Sequence, residues 1–211
     1  MPPLSREQFK FPFYLIVHPY NGYWELKYDR SRRSSLALSF VILFFLAVTN
    51  ILQNEYSGFA VRIVNPDSIN SIMEIVYVFV PVLFWCVANW SLTTLMDGEG
   101  KFAEIFASTC FAMIPLVLVN FPWIWLSNVI SMQEAAFYRF SSHAAVLWSL
   151  YLLFVGNMTV HQFTPLKTVW TMLLTVVAMG FLAFLGLLFF SLVQQIVAFV
   201  ATLYQEIDLR R

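Results

Sequence analysis

Charge is what this sequence has least of. Asp, Glu, Lys and Arg make up 11% of its 211 residues, against 60% hydrophobic and 18% aromatic. A soluble domain carries about 25% charged residues, so a compact soluble fold would lack the polar groups to cover its surface. That scarcity excludes a soluble enzyme domain, a nucleic-acid binder and a disordered regulator. Twelve basic residues balance twelve acidic ones, and no global field favours a polyanionic partner. Cysteine is nearly absent: Cys86 and Cys110 both sit inside apolar runs, which excludes a disulfide framework.

Catalytic signatures are missing as well. The chain has no His-Glu-x-x-His, no Gly-x-Ser-x-Gly and no Walker-type phosphate loop. Glu74 lies at the edge of an apolar segment, and no acid or base lies deeper, where a proton-coupled pump generally needs one. The histidines are His18, His143 and His161. The last two bracket one predicted span, about 27 Å apart on a straight helix, too far to share a metal ion. No catalytic residue, cofactor or metal is expected.

What is present is a series of apolar segments. About 20 apolar residues cross a hydrocarbon core roughly 30 Å thick. Spans are predicted at Ser34–Leu52, Met73–Met96, Ala103–Leu126 and Ser142–Val160, with a fifth inside Thr168–Gln205. That last stretch runs 38 residues without a charge, and it is read as one long helix with a protruding amphipathic end. The expected fold is an all-α integral membrane protein, a bundle of about five transmembrane helices. No cleavage site follows the first apolar run, which is read as a signal anchor.

The preceding residues, 1–33, read as a separate interfacial collar, with 34–211 as the membrane domain. Aromatic rings at Phe9, Phe11, Phe13, Tyr14, Tyr20, Tyr23, Trp24 and Tyr28 are interleaved with Lys10, Lys27, Arg30, Arg32 and Arg33. Such a mixture suits the headgroup layer, where rings bury and cations meet anionic lipid. Pro19-Tyr20-Asn21-Gly22 reads as a turn dividing it. Six of the twelve basic residues precede the first span. Lys101 and Lys167 add to the same side, and Arg62, Arg139, Arg210 and Arg211 fall on the other. The excess predicts a cytoplasmic N-terminus and an external C-terminus.

Two further features stand out. Asp97-Gly98-Glu99-Gly100-Lys101, closed by Glu104, fills the loop between spans two and three. It reads as a hinge whose glycines supply left-handed φ angles and whose Glu104 opposes a helix dipole. The competing reading is a carboxylate trio for a cation, a proton relay or a partner's basic patch. Gly180, Ala183 and Gly186 share one face of span five, where small residues let another helix approach. Neutral polar groups at Asn89, Ser91, Thr93, Thr94, Ser108, Thr109 and Asn120 read as interhelical hydrogen-bonding groups.

His18-Pro19-Tyr20-Asn21-Gly22-Tyr23-Trp24-Glu25-Leu26-Lys27 and Ala88–Gly100, followed by Ala112-Met113-Ile114-Pro115, together resemble bacterial members of the Yip (Ypt/Rab-interacting protein) domain superfamily. The resemblance implies a five-span bundle with a cytoplasmic N-terminus. It also implies a non-enzymatic adaptor or scaffold of the bacterial plasma (inner) membrane. Its partners would be the lipid bilayer and other integral membrane proteins, including transporter components or a second copy of itself. The Asp-Leu-Tyr-Gly-Pro signature of the eukaryotic branch is absent, so Rab binding is not expected. The alternative function is a permease-like subunit or passive transporter built on the proline-broken spans two and three.

Overall fold

The computed structural model describes residues 6–28, 35–62 and 69–209. Arg30, Arg32, Arg33, Arg210 and Arg211, which weigh in the predicted orientation, lie outside those residues. Among the described residues the regular elements are all helices, with no strand: α1 (Arg6–Val17), α2 (Pro19–Tyr28), α3 (Ser35–Tyr56), α4 (Ser71–Leu95), α5 (Phe102–Ala112), α6 (Ile114–Leu126), α7 (Ala135–His161) and α8 (Pro165–Leu209).

Local chemistry sets several boundaries. Asn70 caps α4, its side-chain oxygen accepting the N–H groups of Ile72 at 3.0 Å and Met73 at 3.4 Å. The third span is divided at Met113 into α5 and α6. Pro115 has no N–H to give the carbonyl four residues back, and its ring crowds that carbonyl. Pro81 leaves α4 a single helix. Among the described residues five segments are long and apolar enough to cross a membrane: Leu36–Tyr56, Ser71–Leu95, Phe102–Leu126, Ala135–His161 and Pro165–Glu206. The protein is a multi-pass membrane protein, as its sequence predicts.

α5 is the best buried of the spans. Ile105, Phe106, Cys110 and Phe111 each have 4% or less of their surface exposed, against side chains of α3, α4 and α7. Leu15, Tyr23 and Leu26 of the N-terminal helices join the same core with Phe111 and Leu152. The collar is therefore not only a surface layer. One face of it is core, while Phe13, Tyr14, Tyr20, Trp24 and Tyr28 stay exposed, as an interfacial belt requires. Pro19-Tyr20-Asn21-Gly22 is not a turn but the first turn of α2; the chain bends one residue earlier, at His18. Gly22 serves close approach instead, since a Cβ there would lie 2.9 Å from the Cα of Leu15.

α8 is one unbroken helix of 45 residues, about 67 Å long and more than twice the hydrocarbon thickness. Its first three turns pack on α4 and α7. Beyond them large apolar side chains are exposed on all sides, including Phe181, Phe184, Leu188, Phe189 and Ile196. A Cβ at Gly180 or Gly186 would meet nothing within 4 Å. Among the described residues the small-residue stripe with Ala183 therefore makes no close helix approach, so the packing role its spacing predicts has no partner there.

Candidate functional site

α2 packs on α7 and α5, and a cluster of buried polar side chains lies near that end of the bundle. At its centre is His161, the last residue of α7 and 1% exposed. Its Nε2 lies 3.0 Å from Oδ1 of Asn89 in α4. The Asn89 amide donates to Thr175 Oγ1 at 3.3 Å, and that hydroxyl donates to the Thr171 carbonyl at 2.7 Å. The direction of this chain fixes the histidine. With the Asn89 amide nitrogen turned to Thr175, its oxygen is left as acceptor, so His161 donates from Nε2. Nδ1 is then a buried lone pair without a hydrogen-bond partner among the described residues.

That lone pair faces the hairpin between α4 and α5. A Cβ on Gly98 would lie 2.6 Å from Nδ1 and 2.9 Å from the Thr93 carbonyl oxygen. On Gly100 it would lie 2.7 Å from both His161 Cε1 and Val160 Cγ1. The glycines are thus needed for space. Neither has a positive φ; the left-handed residue of the hairpin is Asp97, at φ 58°. This corrects the sequence expectation that Gly98 and Gly100 supply the left-handed angles. The Gly98 N–H reaches back to the Thr93 carbonyl at 2.8 Å, closing α4 in a Schellman arrangement around Asp97. Lys167 adds to that end, donating to the Met96 carbonyl at 2.7 Å with its ammonium 4.1 Å above the Phe163 ring.

The two motifs that stand apart in the sequence meet here. The Lys27 ammonium donates to the Glu99 carboxylate at 2.9 Å, with the lysine side chain 8% and the glutamate 61% exposed. An ion pair this open contributes about 0.2–1 kcal/mol, so it fixes position more than stability. Tyr23, one turn earlier, is fully buried. Its hydroxyl donates to the Ser108 carbonyl at 3.4 Å, and its ring lies over Gly156 of α7, where a Cβ would be 3.0 Å from Cζ. Burial pushes the Tyr23 phenol well above its usual range, partly offset by the Ser108 contact. Glu104 caps α5 by accepting the Lys101 N–H at 3.2 Å, the role expected of an acid at a helix start.

Other predicted residues divide. Asn89, Thr93, Ser108 and Thr109 are buried, while Ser91 and Thr94 face outward and Asn120 accepts from Ser142 at 3.3 Å. His18 is exposed and stacks on Tyr14. Gly180, Ala183 and Gly186 lie well along α8, beyond the turns that pack on this end. The sequence reading considers His161 only as one of two histidines too far apart to share a metal ion, and passes over Gly156 and the buried threonines Thr168, Thr171 and Thr175. The threonine spacing of three and four inside a charge-free stretch is the signal that would have found that face. Among the described residues no group of three or more His, Cys, Asp or Glu side chains could hold a metal ion.

A family model, the Yip1 domain, matches residues 13–188. This chain belongs to the Yip1 domain family. The match begins inside α1 and ends within α8, so the Yip1 domain spans the N-terminal helices and the bundle together. No curated protein and no solved structure matches the chain. In this Yip1 protein the matched region holds the whole His161 network, the Asp97–Lys101 hairpin and the Lys27–Glu99 pair.

Proposed function

We propose that the protein is a non-enzymatic membrane adaptor of the bacterial inner membrane, with its N-terminus in the cytoplasm. The hairpin and the N-terminal helices form its partner-binding face. The Lys27–Glu99 contact carries this reading, because it joins the collar and the hairpin into one surface. On that surface Asp97, Glu99 and Lys101 are exposed beside Trp24 and Tyr28. Charged groups held on a rigid base beside exposed aromatics suit recognition of another protein. The open face at Gly180, Ala183 and Gly186 suits a second membrane protein packing on α8.

A pull-down from mild detergent tests it. Asp97→Asn, Glu99→Gln and Glu104→Gln each keep shape and remove one charge. The triple variant should insert and melt like the parent, yet lose most of a stoichiometric partner. Full retention of that partner contradicts the adaptor face. Substrate flux by the purified protein alone in liposomes would instead favour a permease.

A further inference from the structure

α8 changes character along its length. It is tied to the end of α4 by Lys167, which donates to the Met96 carbonyl, and by Thr175, which accepts from Asn89, so the two helices run antiparallel side by side. Ala178 and Leu182 continue that contact half-buried, on the face of Thr171 and Thr175. α4 has 25 residues and is about 37 Å long. The same length of α8 counted from Lys167 ends near Leu192. From Leu187 to Gln205 every residue is exposed, and the turns after Ser191 stand past the far end of α4, on the side of the membrane opposite the hairpin.

The residue pattern changes at the same level. Before Ser191 apolar side chains face all round the helix, as lipid contact requires. After it, Gln194, Gln195, Thr202 and Gln205 fall on one side, and Val193, Ile196, Val200 and Leu203 centre the other. The alternating steps of three and four along the apolar side make a heptad seam, and the polar residues take its outer positions. We propose that the turns of α8 beyond Ser191 pair through this seam with the same turns of a second copy of the chain, in a parallel contact outside the bilayer. In water so short a helix needs its apolar side covered to persist. Two observations speak against the lipid surface as the cover. α8 has no break at which the emerging turns could fold over, and their polar side carries none of the lysines and arginines with which surface helices hold a membrane. A second copy in the same membrane carries the identical seam at the identical height. With no charge from Thr168 to Gln205, parallel pairing sets no like charges together.

This inference does not rest on the adaptor reading, whose partner face lies at the opposite end of the bundle. The test introduces single cysteines into the full-length protein and oxidises intact membranes with copper phenanthroline. Cys86 and Cys110 are fully buried, and the parent, which retains them, gives the background. Ile196→Cys and Leu203→Cys, on the seam, should trap a disulfide-linked dimer, because the bond needs Cβ atoms about 4 Å apart. Gln195→Cys and Thr202→Cys, on the outer side, should stay at the background. Val200→Glu sets two carboxylates against each other across the seam and should weaken association at least about tenfold, read by energy transfer between labelled copies as vesicles are diluted with lipid. Val200 is 57% exposed within one chain, so this variant should melt like the parent. Equal trapping from both sides, no trapping from the seam, or undiminished association of Val200→Glu would each overturn the proposal. So would quenching of a fluorophore at Ile196 by brominated lipid, which would lay the seam on the membrane surface.

Discussion

Gly98→Ala and Gly100→Ala should each destabilise the protein by about 1–3 kcal/mol, the range for forcing a methyl group into a packed site. The added Cβ at Gly98 would lie 2.6 Å from His161 Nδ1 and 2.9 Å from a backbone carbonyl. His161 cannot swing aside without giving up Asn89, and the carbonyl belongs to α4. At Gly100 the obstacles are His161 again and Val160. Asp97 reverses the pattern. It carries the positive φ, and asparagine accepts that conformation readily, so Asp97→Asn should be nearly silent. A β-branched residue there costs about 1–2 kcal/mol or more, and Asp97→Val should show it. Unfolding in detergent, followed by circular dichroism, separates these cases. A tolerant Gly98 and an intolerant Asp97→Asn would mean that the hairpin is not packed on His161.

Gly58→Ala should have the larger effect, at least about 3 kcal/mol, because it meets only backbone. At the far end of the bundle the Cβ would lie 2.0 Å from the Ser127 carbonyl oxygen and 2.7 Å from its carbon. The Gly58 N–H also donates to Ser127 Oγ at 3.0 Å, which pins the two segments together. Gly180→Ala is the matched control. Its Cβ enters open space, and alanine exceeds glycine in helix propensity by about 1 kcal/mol. The control variant should melt at or slightly above the parent temperature. Similar melting of both alanine variants would show that the end joining α3 to α6 is looser than described.

Much of the architecture is legible in the sequence because hydrocarbon imposes a simple rule on chain composition. The five spans follow from apolar length alone, and Pro115 divides the third by removing a donor. What composition cannot show is which polar residue faces which. Asn89, Thr175 and His161 come from three helices, and their meeting depends on helix rotation rather than on any local pattern. Gly98 and Gly100 are recognisable as special, but the cause is a distant side chain and not their own φ angles. The collar is misjudged for a related reason. Tyr23 and Trp24 are equally aromatic, and only the bundle decides that one is core and the other surface. Gly180, Ala183 and Gly186 have a spacing suited to packing, and among the described residues no helix approaches the two glycines.

The central claim is that the N-terminal helices are docked on the hairpin rather than lying free on the membrane. A carbodiimide, which joins an amine to a carboxylate only when the two are in contact, tests this in intact membranes. The account predicts an isopeptide bond between Lys27 and Glu99, identified by mass spectrometry, that disappears in Glu99→Gln. A Lys27 that stays unlinked to the hairpin while other lysine–carboxylate pairs react would contradict it.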